Sequence, residues 1–439
     1  MVQTACQLAA RPRRGEVGVT RGLRLVILIT VFCMPLPQAG RAAALRAPLN
    51  VREFGATGDG KTKDTAAFQK ALDASVAAGG GQVLVPAGDY LIGSIELKSN
   101  TTLRLSKDAH LIGSPDLDDY PITRVRWEGR WVDGHRGLVY AQNAHHIAII
   151  GPGRISGSSA LGGRQMPRRP VVIEPIHSTD IRLEDFSTEQ RLMWSIHLTT
   201  SDDIVIRNLT IRATGGNGDG IDVDSCKHVR IEFCDIDTGD DAIAIKSGRG
   251  MEGYREARST DDVLISNCIL GDSNFAGIGI GSETSGGIRN VRIEHIKFTH
   301  VKTFAVYIKS REGRGAFIEN ISANDLDAAT APAGFLRINV LNSGLQDSEP
   351  VPGDEGIPLV KNISFSNIKV NCGTLVDAVS TSPVKPIQGF SLTNVTGTCS
   401  TGASLANMTN ARLRNIHVSG VAGPLIKATN VQPVPGQNP

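Results

Sequence analysis

The sequence predicts an all-β protein, a parallel β-helix whose first coil is closed by one N-terminal helix. Two apolar frames carry that expectation. One reads apolar-x-apolar-x-Ser/Thr and recurs at 196–200, 221–225, 243–247, 278–282 and 306–310. The other opens on Asn, Asp or His and then alternates, as in Asp180-Ile181-Arg182-Leu183, Asp203-Ile204, His228-Val229, Asp262-Val263, Asn290-Val291, Asn320-Ile321, Asn362-Ile363 and Asn410-Ala411. Period-two alternation over short segments reads as strands with one buried face. The 48 glycines, with scattered Asn and Asp, supply the turns, and 5% aromatic residues leave the core to ladders of Ile, Val and Leu. Strands recurring at short intervals without helical periodicity favour a solenoid over a propeller or a doubly wound sheet.

The N-terminus reads differently from the rest. Arg11, Arg13, Arg14, Arg21 and Arg24 precede the apolar run 25–36, and Ala42, Ala43 and Ala44 follow, which is the order of a secretory leader. The run is too short for a lasting membrane anchor. Residues 1–44 are therefore expected to be removed, 45–425 to form the β-helix and 426–439 to be a tail, with the product secreted or periplasmic. Arg13-Arg14 also admits twin-arginine export, without the rest of that motif. Past the segment 49–60, Asp64 is the expected N-cap of a helix from Thr65 to about Ala78, and Gly79, Gly80 and Gly81 stop it. Such a helix would cover the open end of the coils that start at Val83.

Two acidic clusters lie one repeat apart, Asn217-Gly218-Asp219-Gly220-Ile221-Asp222-Val223-Asp224 and Gly239-Asp240-Asp241-Ala242-Ile243-Ala244-Ile245-Lys246. Aligning Ile221 with Ile243 brings Asp219 onto Asp241. Adjacent parallel strands sit about 4.8 Å apart, so Asp219, Asp240 and Asp241 share one small patch. Like charges that close cannot all ionise, and one retained proton sets a general acid beside a general base.

Composition excludes other classes. A net charge of +2 from 46 basic and 44 acidic residues carries no nucleic-acid or membrane-surface signature. Cys226, Cys234 and Cys268 fall at repeat positions suited to buried thiols, Cys372 and Cys399 could pair in an exported protein, and no Cys/His spacing suggests zinc. The sequons at Asn208, Asn320, Asn362 and Asn394 recur at repeat positions and read as turn chemistry rather than glycan sites.

The opening 49–60, the Asn217/Asp219, Gly239-Asp240-Asp241, Gly281-Ser282 and Ile308-Lys309 stations, and their order together resemble glycoside hydrolase family 28, the polygalacturonase-like pectin hydrolases, over nearly all of the chain after the leader. The resemblance implies a right-handed, single-stranded parallel β-helix of the pectin-lyase-like type that hydrolyses galacturonan or rhamnogalacturonan with inversion, without metal or other cofactor. By motif, Asp240 matches the general acid, Asp219 and Asp241 the carboxylates that activate water, Lys309 the lysine that binds a substrate carboxylate, and Asn217 the head of the first motif. Two stations depart. Neither Phe275 nor Ala276 is the family's His, and Tyr307 stands where the family has Arg, so plain polygalacturonate is a doubtful substrate. Arg311 and Arg314, just beyond, could supply charge from another direction.

The expected partner is an acidic polysaccharide or its oligomers, met by a monomer. Trp194 is either a platform for a sugar ring or core packing, and Phe304 packing. Lys246 and Lys309 are substrate contacts or part of a surface salt-bridge ladder. His197, in register with Asp222, is a candidate for the missing His or a polar turn contact. Trp127, Glu128 and Trp131 lie on a loop that could wall the cleft. Close carboxylates by themselves point to a retaining mechanism, whereas the resemblance points to inversion. Two alternatives remain: a calcium-dependent pectate-type lyase using Asp219, Asp222, Asp224, Asp240 and Asp241 as an oxygen cage, and a non-catalytic carbohydrate-binding β-helix.

Overall fold

The computed structural model describes residues 47–161, 167–191 and 193–433. The leader and its cleavage point lie outside the described residues. What is described is a right-handed parallel β-helix. Every strand but the two of one antiparallel hairpin, Ile122–Trp127 and Arg130–His135, joins one continuous ladder.

Both frames stack as the repeat requires. The first forms one face, with Ile196 on Ile221, Ile243, Ile278 and Val306. The second forms another, with Ile181 on Ile204, Val229, Val263, Val291, Ile321 and Ile363. These side chains are sealed from solvent and make up the core. Each second-frame strand bends at its head: Asp180, Asp203, His228, Asp262, Asn290, Asn320 and Asn362 have φ between 52° and 56°. Asn and Asp tolerate that left-handed region better than other L residues, which explains why the frame begins with them. Their amides also form ladders, Asn320 donating to Asn290 (3.0 Å) and Asn362 to Asn320 (2.9 Å).

The capping helix is Thr65–Ala77. It buries Phe68 and Leu72, packs on the first coil's strands and ends at three glycines with φ of 87°, 105° and 151°. Asp64 precedes it but does not cap it. Its carboxylate accepts instead from the Thr57 and Gly58 N–H groups (2.8 and 3.0 Å), tying down the preceding turn. The coil also starts earlier and ends later than the sequence suggests. Leu49–Asn50 pairs with Val83 and Leu84, and Ile426–Gln432, read as tail, is a strand paired with the segment from Ala403 to Thr409. Cys226, Cys234 and Cys268 are buried free thiols. Cys372 and Cys399 stack on adjacent coils with sulfurs 3.1 Å apart, unbonded.

Candidate active site

The first-frame strands Ile196–Thr199, Ile221–Asp224, Ile243–Lys246, Ile278–Ile280 and Phe304–Lys309 set the site. Just before each strand the backbone continues the ladder: the Ser195 N–H donates to Asp219 C=O (2.9 Å), Gly220 N–H to Asp241 C=O (3.1 Å), and Ala242 N–H to Ala276 C=O (3.0 Å). Trp194, Asp219, Asp241, Ala276 and Phe304 therefore stand in one column, as the repeat predicts.

A cavity of about 320 Å³ opens over this column, and Asn217, Asp219, Asp240, Asp241, Lys246 and Lys309 all line it. The three carboxylates differ in exposure. Asp219 and Asp241 are 4% and 2% exposed, whereas Asp240 is only half-buried. Asp240 Oδ1 accepts the Asp241 N–H (3.0 Å), and its carbonyl is held by the hydroxyls of Thr238 and Ser273 (both 2.7 Å). Asp241 accepts the Ala276 N–H at Oδ1 (3.1 Å) and pairs with Lys309 through Oδ2. The family's histidine position thus contributes a backbone donor. Lys246 lies 2.6 Å from Asp222 and 3.5 Å from Asp219, with its ammonium 4.2 Å from the centre of the Trp194 ring.

Burial dominates the proton affinities. Desolvation, then repulsion from Asp222, pushes Asp219 well above the ordinary carboxylate range, and desolvation pushes Asp222 up to about 6 despite Lys246. Asp240 is raised by desolvation and then by Asp241. Burial works against the charge on Lys246 and Lys309, but the carboxylates around them together outweigh it and raise both, Asp222 then Glu283 and Asp219 for Lys246 and Asp241 then Asp240 for Lys309. The site therefore combines firmly protonated lysines with carboxylates that hold protons unusually tightly, a combination suited to proton transfer.

Several expectations change. Trp194 lines the cavity but is only 2% exposed, packed with Val171 and Met193 and against Trp127, with the Lys246 ammonium over its face, so packing accounts for most of its surface. Tyr307 is buried among Phe275, Ala276 and Phe304, with its hydroxyl 3.4 Å from Ser343, and does not line the cavity. Arg311 donates to Gly344 C=O and Arg314 to Leu345 C=O (2.8 Å), and neither guanidinium reaches the cavity wall. Lys246 and Lys309 are buried ion-pair partners, not a surface ladder. His197 is buried edge-on to Trp194, and its pKa is driven well below its ordinary value by desolvation and then by Arg168, Lys246 and Arg126, so it is a neutral interior group. Four of the five carboxylates proposed as a calcium cage are divided among cations: Lys246 takes Asp219 and Asp222, Lys309 takes Asp241, and Arg126 takes Asp224, while Asp240 accepts the Asp241 N–H. Among the described residues no group of three or more His, Cys, Asp or Glu is placed to hold a metal.

Glu128, at the tip of the hairpin, does wall the cavity. So do Arg249, Glu283 and Leu345, which sequence reasoning missed. Arg249 and Glu283 each lie within a few residues of a site strand's end, and that position in the repeat was the available signal. Phe275 also lines the cavity, with the Lys309 ammonium 4.7 Å from its ring centre.

Known proteins agree with this architecture. Residues 77–422 match the model of Glycosyl hydrolases family 28. A Vitis vinifera protein described as a "Probable polygalacturonase" is 32% identical over 361 residues, 78% of this chain and 73% of that one. The crystal structure of a hyperthermoactive exopolygalacturonase from Thermotoga maritima superposes with a TM-score of 0.66 at 25% identity, covering 89% of this chain and 91% of the other. A family 28 exopolygalacturonase from Yersinia enterocolitica superposes with a TM-score of 0.71 at 19% identity over 88% and 78% of the two chains.

Proposed function

The chain belongs to glycosyl hydrolases family 28 and is a pectin-degrading glycoside hydrolase, and from that premise we propose that it cleaves galacturonan- or rhamnogalacturonan-type chains by an inverting, single-displacement hydrolysis. The observation that carries the mechanism is one half-buried carboxylate, Asp240, beside two nearly sealed ones, Asp219 and Asp241, in a single cavity with two lysines. Asp240 faces the substrate with a raised proton affinity and gives its proton to the departing glycosidic oxygen. A water held by Asp219 and Asp241 adds its oxygen to the anomeric carbon from the opposite side as the C–O bond breaks, and its proton passes to one of those carboxylates. One water is consumed, and the configuration inverts. Lys309 keeps Asp241 oriented while remaining protonated.

Substrate choice follows from what lines the cavity. Its three lining cations are already paired, Lys246 with Asp222, Lys309 with Asp241 and Arg249 with Glu128 (3.2 Å), while Phe275 and the largely exposed Leu345 offer apolar surface. That balance supports a pectic chain carrying a neutral or substituted sugar, such as rhamnose or an esterified galacturonate, at the Phe275 side. Tyr307, lying beneath Phe275, contributes by packing. The basic, apolar and small-residue order of 11–44 supports export to the periplasm or medium, and among the described residues no helix is long and apolar enough to cross a membrane.

The test is product analysis on matched polygalacturonate and rhamnogalacturonan oligomers, with and without chelator, following the anomeric configuration by NMR. Saturated products of inverted configuration, unaffected by chelator and formed faster from substituted chains, are expected. An unsaturated product that needs added calcium would transfer the chain to the lyase alternative. Binding without any cleavage would leave the carbohydrate-binding one.

A further inference from the structure

The outward-facing column of the site sheet runs Tyr140, Glu174, His197, Asp222, Ala244, Gly279, Tyr307, Arg337, Asp377. At the site itself Asp222 and Ala244 are fully buried and Tyr307 is 7% exposed. Before it Tyr140, Glu174 and His197 are sealed as well, at 1% exposure or less, whereas beyond it the side chains of Arg337 and Asp377 are 36% and 28% exposed.

The hairpin 122–135 is the cover. Val125 packs on Tyr140 and Ile176, Trp131 lies against His177 at the strand exits, and Trp127 reaches across to Met193 and Trp194 at the strand entrances. The hairpin therefore spans the full width of the sheet. It is also clamped. The buried Arg126 pairs with Asp224 (3.4 Å) and Glu256 (2.9 Å), the Arg249 N–H donates to Gly129 C=O (2.9 Å), and Arg130 pairs with Asp347 (3.0 Å), a buried carboxylate also held by Arg249 and Arg314 (both 3.0 Å). Desolvated, multiply paired charges of this kind fix geometry and are costly to break.

We infer that the hairpin 122–135 dams the groove immediately beyond the catalytic carboxylates on its N-terminal side, so that the enzyme engages a chain end and removes short units from it. The inference deepens the hydrolase reading and rests on it for the substrate class. A cavity of about 320 Å³ is at the small end of ligand pockets and suits a chain terminus better than a passing polymer.

Two measurements test it. Inactive Asp240→Asn protein is titrated with size-fractionated pectic chains, and the wild type is followed on end-labelled chains from the first turnovers. One bound protein per chain at every chain length, and one short product size from the start, are expected. Binding that increases with chain length, or early products of many lengths, would overturn the inference. Replacing 123–134 by a short Gly/Ser turn, or Trp127→Ala if that variant does not fold, should bring interior cuts into the early products. A folded variant that still only trims ends would remove the hairpin as the cause. Should the wild type cleave no pectic chain while Asp240→Asn still binds one per chain, the hydrolase reading fails and the dam stands. No binding at all defeats the dam as well.

Discussion

The coils before residue 310 and those after 359 are built from the same repeat and are put to opposite uses. In the first set the site strands are short, from three to six residues, and their faces bury Asp219, Asp222, Asp224, Lys246 and Lys309. In the second set strands run on for 22 and 23 residues, Leu359–Ser380 and Ile387–Thr409, and among 359–432 the only buried polar side chains are those of Thr381 and Ser382. A buried charge is tolerated only when paired, and the catalytic coils meet that condition by setting each lysine against a carboxylate. The later coils carry no such burden, and their strands run on through the turns. Chemistry is concentrated where the solenoid is least self-sufficient.

The largest break in the comparison should come from Asp240→Asn. An amide cannot protonate the leaving oxygen, so turnover should fall on the order of 10³-fold or more, with an unchanged melting curve because Asp240 is only half-buried. Asp377→Asn in the later coils removes a half-exposed pair with Arg337 (3.2 Å) and should leave kcat/KM unaltered and stability within about 1 kcal/mol. Parallel kinetics and thermal melts check both. Wild-type turnover in Asp240→Asn would remove it as the acid.

Gly279→Ala tests how tightly the catalytic coil is fitted. A Cβ there would stand 2.4 Å from Asp241 Oδ2 and 3.1 Å from the Lys309 ammonium, so the pair must move. Displacements near 1 Å at a catalytic group cost roughly 10²-fold in rate, and the overpacking should cost about 1–3 kcal/mol of stability. Ser404→Gly in the corresponding column of the later coils should change turnover not at all. An unimpaired Gly279→Ala enzyme would mean that the Asp241–Lys309 contact does not position the chemistry.

Acidity should divide the two regions as well. Burial raises Asp219 and lifts Asp222 from 3.8 to about 6. Between about pH 4 and 6 the folded chain therefore retains protons that the unfolded chain has released. Stability from this source is fully present below pH 4 and is lost as pH rises through 6, by on the order of 1–3 kcal/mol. Amide exchange, corrected for its intrinsic pH dependence, should show protection of Ile221–Asp224 and Ile243–Lys246 falling from pH 4 to 7 while Leu359–Ser380 holds steady. Asp222→Asn should flatten the slope. In kinetics the raised Asp240 gives a limb on which rate falls with rising pH. Catalytic strands that gain protection with pH would reverse the assignment.

How much of this could be read in advance follows from the same division. The columns were legible because a strand's alternation and a fixed repeat place Asp219 on Asp241 without further information. The three central aspartates, Asn217 and Lys309 accordingly meet where expected. Tyr307 was misplaced because a motif station says where a backbone sits, not what collapses on the side chain. Phe275 and Phe304 on neighbouring coils were the overlooked sign that the ring would be packed. The loop around Glu128 was legible as a wall of the cleft, but its contacts with Arg249 and the Asp347 cluster were beyond reach, since loops of unrelated position converge there and no periodicity relates 128 to 249 to 347. Asp64 failed for a local reason: two backbone N–H groups of the preceding turn compete for its carboxylate and win.

The smallest expected effect isolates what the later coils live on. Asn362 has φ 56° and donates to Asn320 (2.9 Å), while on the next coil Gly389, with φ 75°, stands over it and ends the ladder. The residue thus does two separable things: it supplies a left-handed bend and one amide rung. Asn362→Gly keeps the bend and loses the rung, and should cost about 0.5–1 kcal/mol, the net value of a single hydrogen bond near solvent. Asn362→Ala loses both, and the left-handed conformation of a residue with a Cβ adds roughly 1 kcal/mol. Denaturant melts should rank wild type, Gly, Ala in falling stability, with hydrolysis rates equal in all three because neither Asn362 nor its partner Asn320 lines the cavity. Ala as stable as Gly would show that the bend is free and that the asparagine is there for its amide alone. A rate change in either variant would mean that the two regions of the solenoid are coupled rather than divided.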